Sequence, residues 1–139
     1  MKSLLSIVSL IGLACATATI PIATTPVDLA AIEDRWSLHV VTLDPDGDER
    51  VTRIWIAVID GKPAIRTNES LWWKNLEREP TIRIRSADVD YSFRTQSVTE
   101  RSERARIDEA FLAKYGRWER LMFPQARGET HDQYALLVQ

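Results

Sequence analysis

The sequence predicts an α+β domain in which an antiparallel sheet of five or six strands curls into a small barrel beside two helices. Two observations indicate this fold class. Short segments with alternating apolar or β-branched residues recur between turns that contain Asp, Gly and Pro, as they do in antiparallel sheets. Only two segments place apolar residues three and four positions apart over the length of a helix. At 139 residues the chain suits a single domain.

The composition argues against several classes of function. The formal net charge is -2 and the pI is about 5.7, so no nucleic-acid-binding surface is indicated. The single cysteine, Cys15, can form neither an intramolecular disulfide nor a cysteine metal site. His39 and His131 lack the spacing of metal ligands, and the acidic turn at 44–49 departs from a calcium loop at two required positions. We therefore predict no metal site.

Residues 1–18 are typical of an export signal. Lys2 precedes the apolar run Leu4–Ala14, and small residues at cleavage spacing predict a mature N-terminus within Ala16–Ala23. Acylation of Cys15, as in a lipoprotein, is the less favoured alternative because the residues before it fit a lipobox poorly. The sequence therefore predicts an exported protein, periplasmic or secreted.

The remainder of the chain divides into two parts. Residues 19–31 are rich in Thr, Pro and Ala and are predicted to be a linker. Residues 32–139 are predicted to be the folded domain. No second apolar run of spanning length occurs, so we expect the mature chain to have no membrane span.

The strands are predicted from alternation and β-branched content. Ile54–Ile59 is apolar on both faces, which indicates a central strand that is covered on both sides. A turn at Asp60–Pro63 makes the next segment the second arm of a hairpin. The predicted strands are 36–43, 50–59, 64–67, 81–85, 89–95 and 134–138.

The first helix is predicted to lie between Ser70, whose hydroxyl suits the N-cap, and Pro80, which ends the helix. Trp72, Trp73 and Leu76 form its apolar stripe. Because free amides and the positive end of the helix dipole favour an anion, the helix start is a candidate ligand site. The alternative is purely structural, since paired tryptophans at helical spacing are usually core residues.

The second helix is predicted to open with a capping box at Ser97–Glu100 and to end at Gly116. Ile107, Phe111 and Tyr115 share its buried face. Its charged residues are predicted to face solvent; they are Arg101, Glu103, Arg104, Arg106, Asp108 and Glu109.

The order of these elements resembles a known family. The strand segment IWIAVIDGKPAIRT, the loop NES, the block LWWKNLEREPTIRI and the helix ending AKYG follow one another as in split-barrel proteins related to pyridoxamine phosphate oxidase. The nearest resemblance is to the deazaflavin-dependent nitroreductase branch and an uncharacterised domain family beside it. The matching block residues are Trp72, Trp73, Asn75, Leu76 and Pro80.

The resemblance implies a six-stranded split barrel with two short helices. It also implies a homodimer that binds a flavin (FMN) or deazaflavin coenzyme and reduces a small-molecule substrate. In such a protein the cofactor supplies the redox chemistry, so no catalytic residue is named. The implied phosphate contacts are Arg53, Arg66, Thr67, Asn68 and Ser70, and Trp72 or Trp73 is implied to pack near the ring.

Two features of the sequence bear on that cofactor site. Pairing Asp60 with Pro63 across the hairpin turn would place Arg53 near Ser70. In the nitroreductase branch a Gly- and Lys-rich turn precedes the second strand, whereas this chain has the acidic turn at 44–49. The alternative is therefore a cofactor-free binding or structural module of the same fold.

Overall fold

The computed structural model describes residues 19–139, which form one curled antiparallel sheet with four helices around it. The predicted signal and its cleavage site up to residue 18 lie outside the described residues. The strands are β1 (Leu38–Leu43), β2 (Glu49–Ile54), β3 (Ala57–Ile59), β4 (Lys62–Thr67), β5 (Thr81–Ser86), β6 (Val89–Ser97) and β7 (Gln133–Val138). The helices are α1 (Leu29–Glu33), α2 (Leu71–Arg78), α3 (Arg101–Tyr115) and α4 (Arg117–Met122).

The α+β class and the antiparallel, curled sheet are confirmed, but the sheet has seven strands because one predicted strand is divided. The strand order is β2-β1-β5-β6-β7-β4-β3, so β2 and β3 lie at opposite edges. Trp55 and Ile56 alone separate these two edge strands along the chain. A two-residue connection brings the two edges together, and the sheet must therefore curl.

This connection, which we call the corner, is held by side chains in place of sheet partners. The Tyr115 hydroxyl accepts a hydrogen bond from the Ile56 N–H (3.1 Å) and donates one to the Trp36 carbonyl (2.8 Å). Just beyond the corner, in β3, a Glu33 carboxylate oxygen accepts from the Val58 N–H (2.9 Å). The prediction of one central strand through Ile54–Ile59 was therefore wrong, since the apolar faces here belong to a corner and an edge strand.

The β3–β4 hairpin is tighter than predicted. Asp60 and Gly61 form a two-residue turn with φ values of 51° and 73°, which are those of a type I′ turn. Ile59 consequently pairs with Lys62, and the predicted pairing of Asp60 with Pro63 was wrong. Arg53 lies on β2, opposite His39 of β1, so the hairpin does not carry it toward Ser70.

Helix α2 forms as predicted. The Ser70 hydroxyl accepts from the Trp73 N–H (3.3 Å), and Trp72, Trp73 and Leu76 are buried in the barrel core. Burying one large apolar side chain contributes about 1.5–3 kcal/mol, so this stripe fixes α2 against the barrel.

Helix α3 also forms, but its start and one of its faces differ from the prediction. The capping box is absent, because Ser97 ends β6 and Glu100 occupies the N-cap without a side-chain hydrogen bond. Ile107, Phe111 and Tyr115 are buried, as predicted, and they pack against β3, β4 and β7. Asp108 was expected in solvent and is fully buried.

The two remaining helices lie outside the two predicted helical segments. Helix α1 occupies the end of the predicted linker and buries Ile32, and Ile22 forms a bridge to Asp90. Helix α4 follows α3 directly at Gly116. Among the described residues, no helix is both long enough and apolar enough to cross a membrane.

Candidate functional site

A cavity of about 320 Å³ opens where β2, the corner, β4 and three helices converge. Its wall is mainly aromatic and apolar, with two arginines, two threonines and one histidine. The lining residues are Thr52, Arg53, Ile54, Trp55, Arg66, Thr67, Trp72, Phe111, Met122, Phe123 and His131. Ligand cavities span about 300–1,000 Å³ and combine apolar walls with few polar groups, so this cavity has the size and chemistry of a small-molecule site.

Four of the seven sequence-predicted site residues line this cavity. They are Arg53, Arg66, Thr67 and Trp72. The hairpin register does not bring Arg53 to the others. The corner does, because it joins the end of β2 to the side of the sheet that contains β4.

The other three predicted residues have structural roles nearby. The Asn68 side chain accepts a hydrogen bond from the Asp132 N–H (3.1 Å). Ser70 caps α2, with a further contact from the Thr67 hydroxyl (3.4 Å). Trp73 packs in the barrel core beside Trp72, with ring centroids 5.9 Å apart.

Arg66 is the centre of a buried ionic network under the cavity. Its guanidinium donates to Asp108 (2.5 Å), to Glu119 and to the Thr130 hydroxyl (3.1 Å). It also lies over the Phe111 ring, 3.9 Å from the centroid. Two carboxylates already balance its charge, so Arg66 differs from a free cation at a ligand site.

Asp108 is the most heavily hydrogen-bonded group of this network. Besides Arg66, it accepts from the Gly128 N–H (2.7 Å), the Thr130 hydroxyl (2.7 Å) and the Tyr134 hydroxyl (2.9 Å). Burial acts to raise the pKa of Asp108, but hydrogen bonds from Thr130, Gly128 and Arg66 hold it below its ordinary value. Asp108 is therefore a buried carboxylate that stays ionised.

Glu119 gives the network its second carboxylate. It projects inward from α4 and is fully buried, and its two oxygens contact Arg66 and Arg127 (3.2 Å for the latter). The Nε of Arg66 is the single buried side-chain polar atom of the described residues without a hydrogen-bond partner. The network thus anchors α4 and one wall of the cavity.

Arg53 and His131 line the cavity but are not hydrogen-bonded to Arg66. Arg53 is exposed and forms no ion pair within residues 19–139. The Nδ1 of His131 hydrogen-bonds to the Thr130 hydroxyl (2.9 Å), and its ring packs on Phe123, with centroids 4.4 Å apart. Burial and the positive charge of Arg66 lower the pKa of His131 to about 4, so its imidazole is neutral at pH 7.

The acidic turn that distinguishes this chain from the nitroreductase branch lies away from the cavity. Asp44 forms a two-pronged pair with Arg50 (2.8 and 2.9 Å) and accepts from Asn75 (2.8 Å). Arg53 lies four positions after Glu49 along β2, or about 13 Å of strand. This distance exceeds the screening length of about 8 Å at physiological salt, so the turn leaves the charge of Arg53 largely intact.

Sequence reasoning missed Asp108, Glu119, Thr130 and His131 as parts of the site. The sequence did contain one indication that Asp108 is buried. Asp108 directly follows Ile107 and lies one helical turn before Leu112, so it borders the apolar face of α3. Its partner Arg66 is 42 positions away, and that distance hid the pairing.

The curled sheet and the cavity at its corner define a protein of the split-barrel class. The split-barrel resemblance predicted from the sequence is confirmed at the level of the fold. The chain belongs to the family described as "Uncharacterized protein conserved in bacteria (DUF2255)", whose profile matches residues 28–136. A comparison with curated proteins finds no match.

Solved structures share this fold at low sequence identity. One is an F420-H2 dependent reductase, FDR-A (TM-score 0.56, 13% identity, covering 75% of this chain and 95% of that one). Another is HutZ, the heme storage protein from Vibrio cholerae (TM-score 0.59, 13% identity, 79% and 86% covered). A third is described as a domain-swapped dimer (TM-score 0.57, 14% identity, 76% and 81% covered).

Proposed function

We propose that the protein binds a flavin or deazaflavin nucleotide in the corner cavity and acts as a reductase of small molecules. The observation that carries this proposal is the convergence of Arg53, Thr67 and Trp72 on one aromatic-walled cavity. One cation at the rim and a flat apolar interior match a ligand with an anionic end and a planar ring. The similarity to an F420-H2 dependent reductase supports the same class of cofactor.

The residues of the cavity fit such a cofactor, but not all of them in the roles that the family resemblance implies. Arg53 would hold the phosphate, since its guanidinium is exposed and uncommitted among the described residues, and the Thr67 side chain would lie beside it. Trp55, Trp72 and Phe123 would flank the ring. Arg66 would act through position and charge, by fixing the cavity wall with Asp108 and Glu119.

The cofactor, when bound, supplies hydride or electron transfer. The chain's own contribution is to bind, orient and exclude water. His131 is neutral at pH 7 and is fixed through Nδ1, so it offers an uncharged hydrogen-bonding group beside the ring without adding a titration near neutrality.

The test is a titration of FMN and, separately, of the deazaflavin coenzyme F420 into wild-type protein, Arg53→Gln and the control Arg94→Gln. Arg94 is exposed on β6 and does not line the cavity. We expect nucleotide binding to quench tryptophan fluorescence in a saturable way. Arg53→Gln should raise the dissociation constant at least tenfold, about 1.4 kcal/mol, and Arg94→Gln should leave it unchanged. If neither nucleotide binds to the folded wild-type protein, the cofactor-free module becomes the better account.

A second candidate ligand is heme, which one observation favours. The only hydrogen bond of the His131 side chain within the described residues is through Nδ1, which leaves Nε2 for the cavity. A neutral histidine oriented through its other ring nitrogen is the usual form of an iron ligand. The similarity to the heme storage protein HutZ supports this reading.

Hemin titration separates the two candidates. Heme binding predicts a Soret shift that is lost in His131→Ala and retained in His39→Ala, because His39 does not line the cavity. A flavin site predicts tight nucleotide binding and no histidine-dependent Soret shift.

We also propose that residues 1–18 direct export and that the mature protein forms a homodimer. The small-residue pattern before Ala23 supports the first part, and the domain-swapped dimer of the same fold supports the second. Intact-mass measurement of protein collected outside the cytoplasm should place the mature N-terminus within Ala16–Ala23. Sedimentation equilibrium of that material should give twice the chain mass.

A further inference from the structure

Helix α4 presents an apolar face that nothing in the described structure covers. Trp118, Leu121 and Met122 share one side of the helix, at spacings of three and four residues, and are 47%, 74% and 56% exposed. Large apolar side chains grouped in this way mark an interaction surface on a soluble protein. We call Arg117, Trp118, Arg120, Leu121 and Met122 the α4 face.

The charges of α4 are sorted between its two sides. Its single acid, Glu119, points inward and is used by Arg66 and Arg127. Arg117 and Arg120 are exposed and form no ion pair within residues 19–139, and Arg117 lies 5.7 Å from the Trp118 ring centroid. Together with Trp118 and Leu121 they line a shallow surface depression. The α4 face therefore combines three apolar side chains with two positive charges and no negative one.

We propose that the α4 face docks the protein on an anionic lipid bilayer. Tryptophan and leucine inserted at the headgroup boundary, with arginines on the phosphates, are the pattern of an interfacial helix. The formal net charge of -2 does not oppose this, because screening over about 8 Å makes the local charge of the face decisive.

Charge argues against a second copy of the chain as the occupant. A two-fold interface sets the same patch against itself. The arginines of both copies would then share one interface with no acid from either α4 face, which is unfavourable when that interface is desolvated. Lipid phosphates provide the opposite charge that this face lacks.

The buried side of α4 makes the docking geometry rigid. The ion pairs of Glu119 to Arg66 and Arg127 fix the helix to the domain, so no ordering of a loose segment is needed on binding. Met122 also lines the corner cavity, so docking would hold the cavity mouth at the bilayer surface. The inference does not depend on which ligand the cavity takes.

The test is sedimentation of the exported, mature protein with vesicles of phosphatidylcholine alone, or of equal parts phosphatidylcholine and phosphatidylglycerol. We expect binding to the anionic vesicles only, weakened about fivefold by Arg117→Gln or Arg120→Gln, since one basic residue contributes about that factor at an anionic surface. Leu121→Gln should weaken binding, while Leu71→Gln, which changes another exposed leucine (60%) on α2, should not. Every variant keeps the same N-terminal residues, so the differences report on α4.

A second measurement isolates the helix itself. Brominated acyl chains should quench the fluorescence of Trp118. Quenching of the total tryptophan fluorescence should therefore be smaller in Trp118→Phe than in the wild-type protein. Binding that is insensitive to all α4 variants, or absence of Trp118 quenching, would overturn the proposal. A dimer that dissociates on Leu121→Gln without lipid would also overturn it, by assigning the α4 face to a second copy.

Discussion

The buried network makes a quantitative prediction for Arg66→Met. Methionine keeps an apolar stem against Phe111 but removes the guanidinium, so Asp108 and Glu119 stay buried without the cation between them. Removing one partner of a buried ion pair costs about 3–5 kcal/mol. Because Arg127 still contacts Glu119 at 3.2 Å, we expect the lower end, about 3 kcal/mol.

Urea unfolding at pH 7, followed by tryptophan fluorescence, measures this cost as a lower midpoint at unchanged slope. In wild-type protein the depressed pKa of Asp108 stabilises the fold above its unfolded pKa of about 4, and this contribution is lost as the pH falls through the folded pKa. In Arg66→Met the loss of the guanidinium raises the pKa of Asp108 above its wild-type value. The deficit of the variant should therefore shrink as the pH falls from 7 through about 4.

A double-mutant cycle with Glu119→Gln completes the test. Arg66 and Glu119 are in direct contact, so the two changes should be non-additive by about 1–3 kcal/mol. A cost for Arg66→Met below about 1 kcal/mol, the value of an exposed pair, would refute the reasoning. A deficit that stays constant as the pH falls from 7 through about 4 would do the same.

Three further predictions concern single residues. Trp72→Ala should destabilise the fold by about 3–5 kcal/mol, because Trp72 is 6% exposed in the barrel core; an unchanged urea midpoint would contradict this packing. His131 has a pKa of about 4 in the folded protein and about 6.5 when unfolded. The free energy of unfolding of the wild-type protein should therefore fall as the pH drops from about 6.5 to 4, and His131→Gln should flatten that part of the stability curve. Gly128→Ala should cost about 3 kcal/mol, because its φ is +87° and a Cβ would lie 2.7 Å from the Arg101 carbonyl oxygen. Gly47→Ala, with φ +89° and no neighbour within 4 Å, should cost only about 1 kcal/mol, so equal costs would exclude the contact as the cause.

The parts of the fold that follow from local chemistry could be predicted from the sequence. Ser70 and Pro80 mark the limits of α2 because capping and the loss of an N–H act within one turn. The apolar faces of α2 and α3 follow from residue spacing alone. The corner could not be predicted, because it depends on Tyr115 and Glu33, which lie far along the chain from Ile56 and Val58.

The candidate site was predictable to a similar degree. Arg53, Thr67 and Trp72 were found through the family resemblance, and they meet in one cavity. The commitment of Arg66 to Asp108 and Glu119 depends on pairs 42 and 53 positions apart, which no local pattern encodes. A charged residue is read from sequence as solvent-facing unless its partner is known.

The corner has a consequence for hydrogen exchange. At most positions of a sheet an amide is protected by the neighbouring strand, so its exchange reports on opening of the ladder. At Ile56 and Val58 the acceptors are the Tyr115 hydroxyl and the Glu33 carboxylate. Exchange at these two amides therefore measures how often α3 and α1 lift from the barrel, and it gives each helix its own reporter in a single experiment.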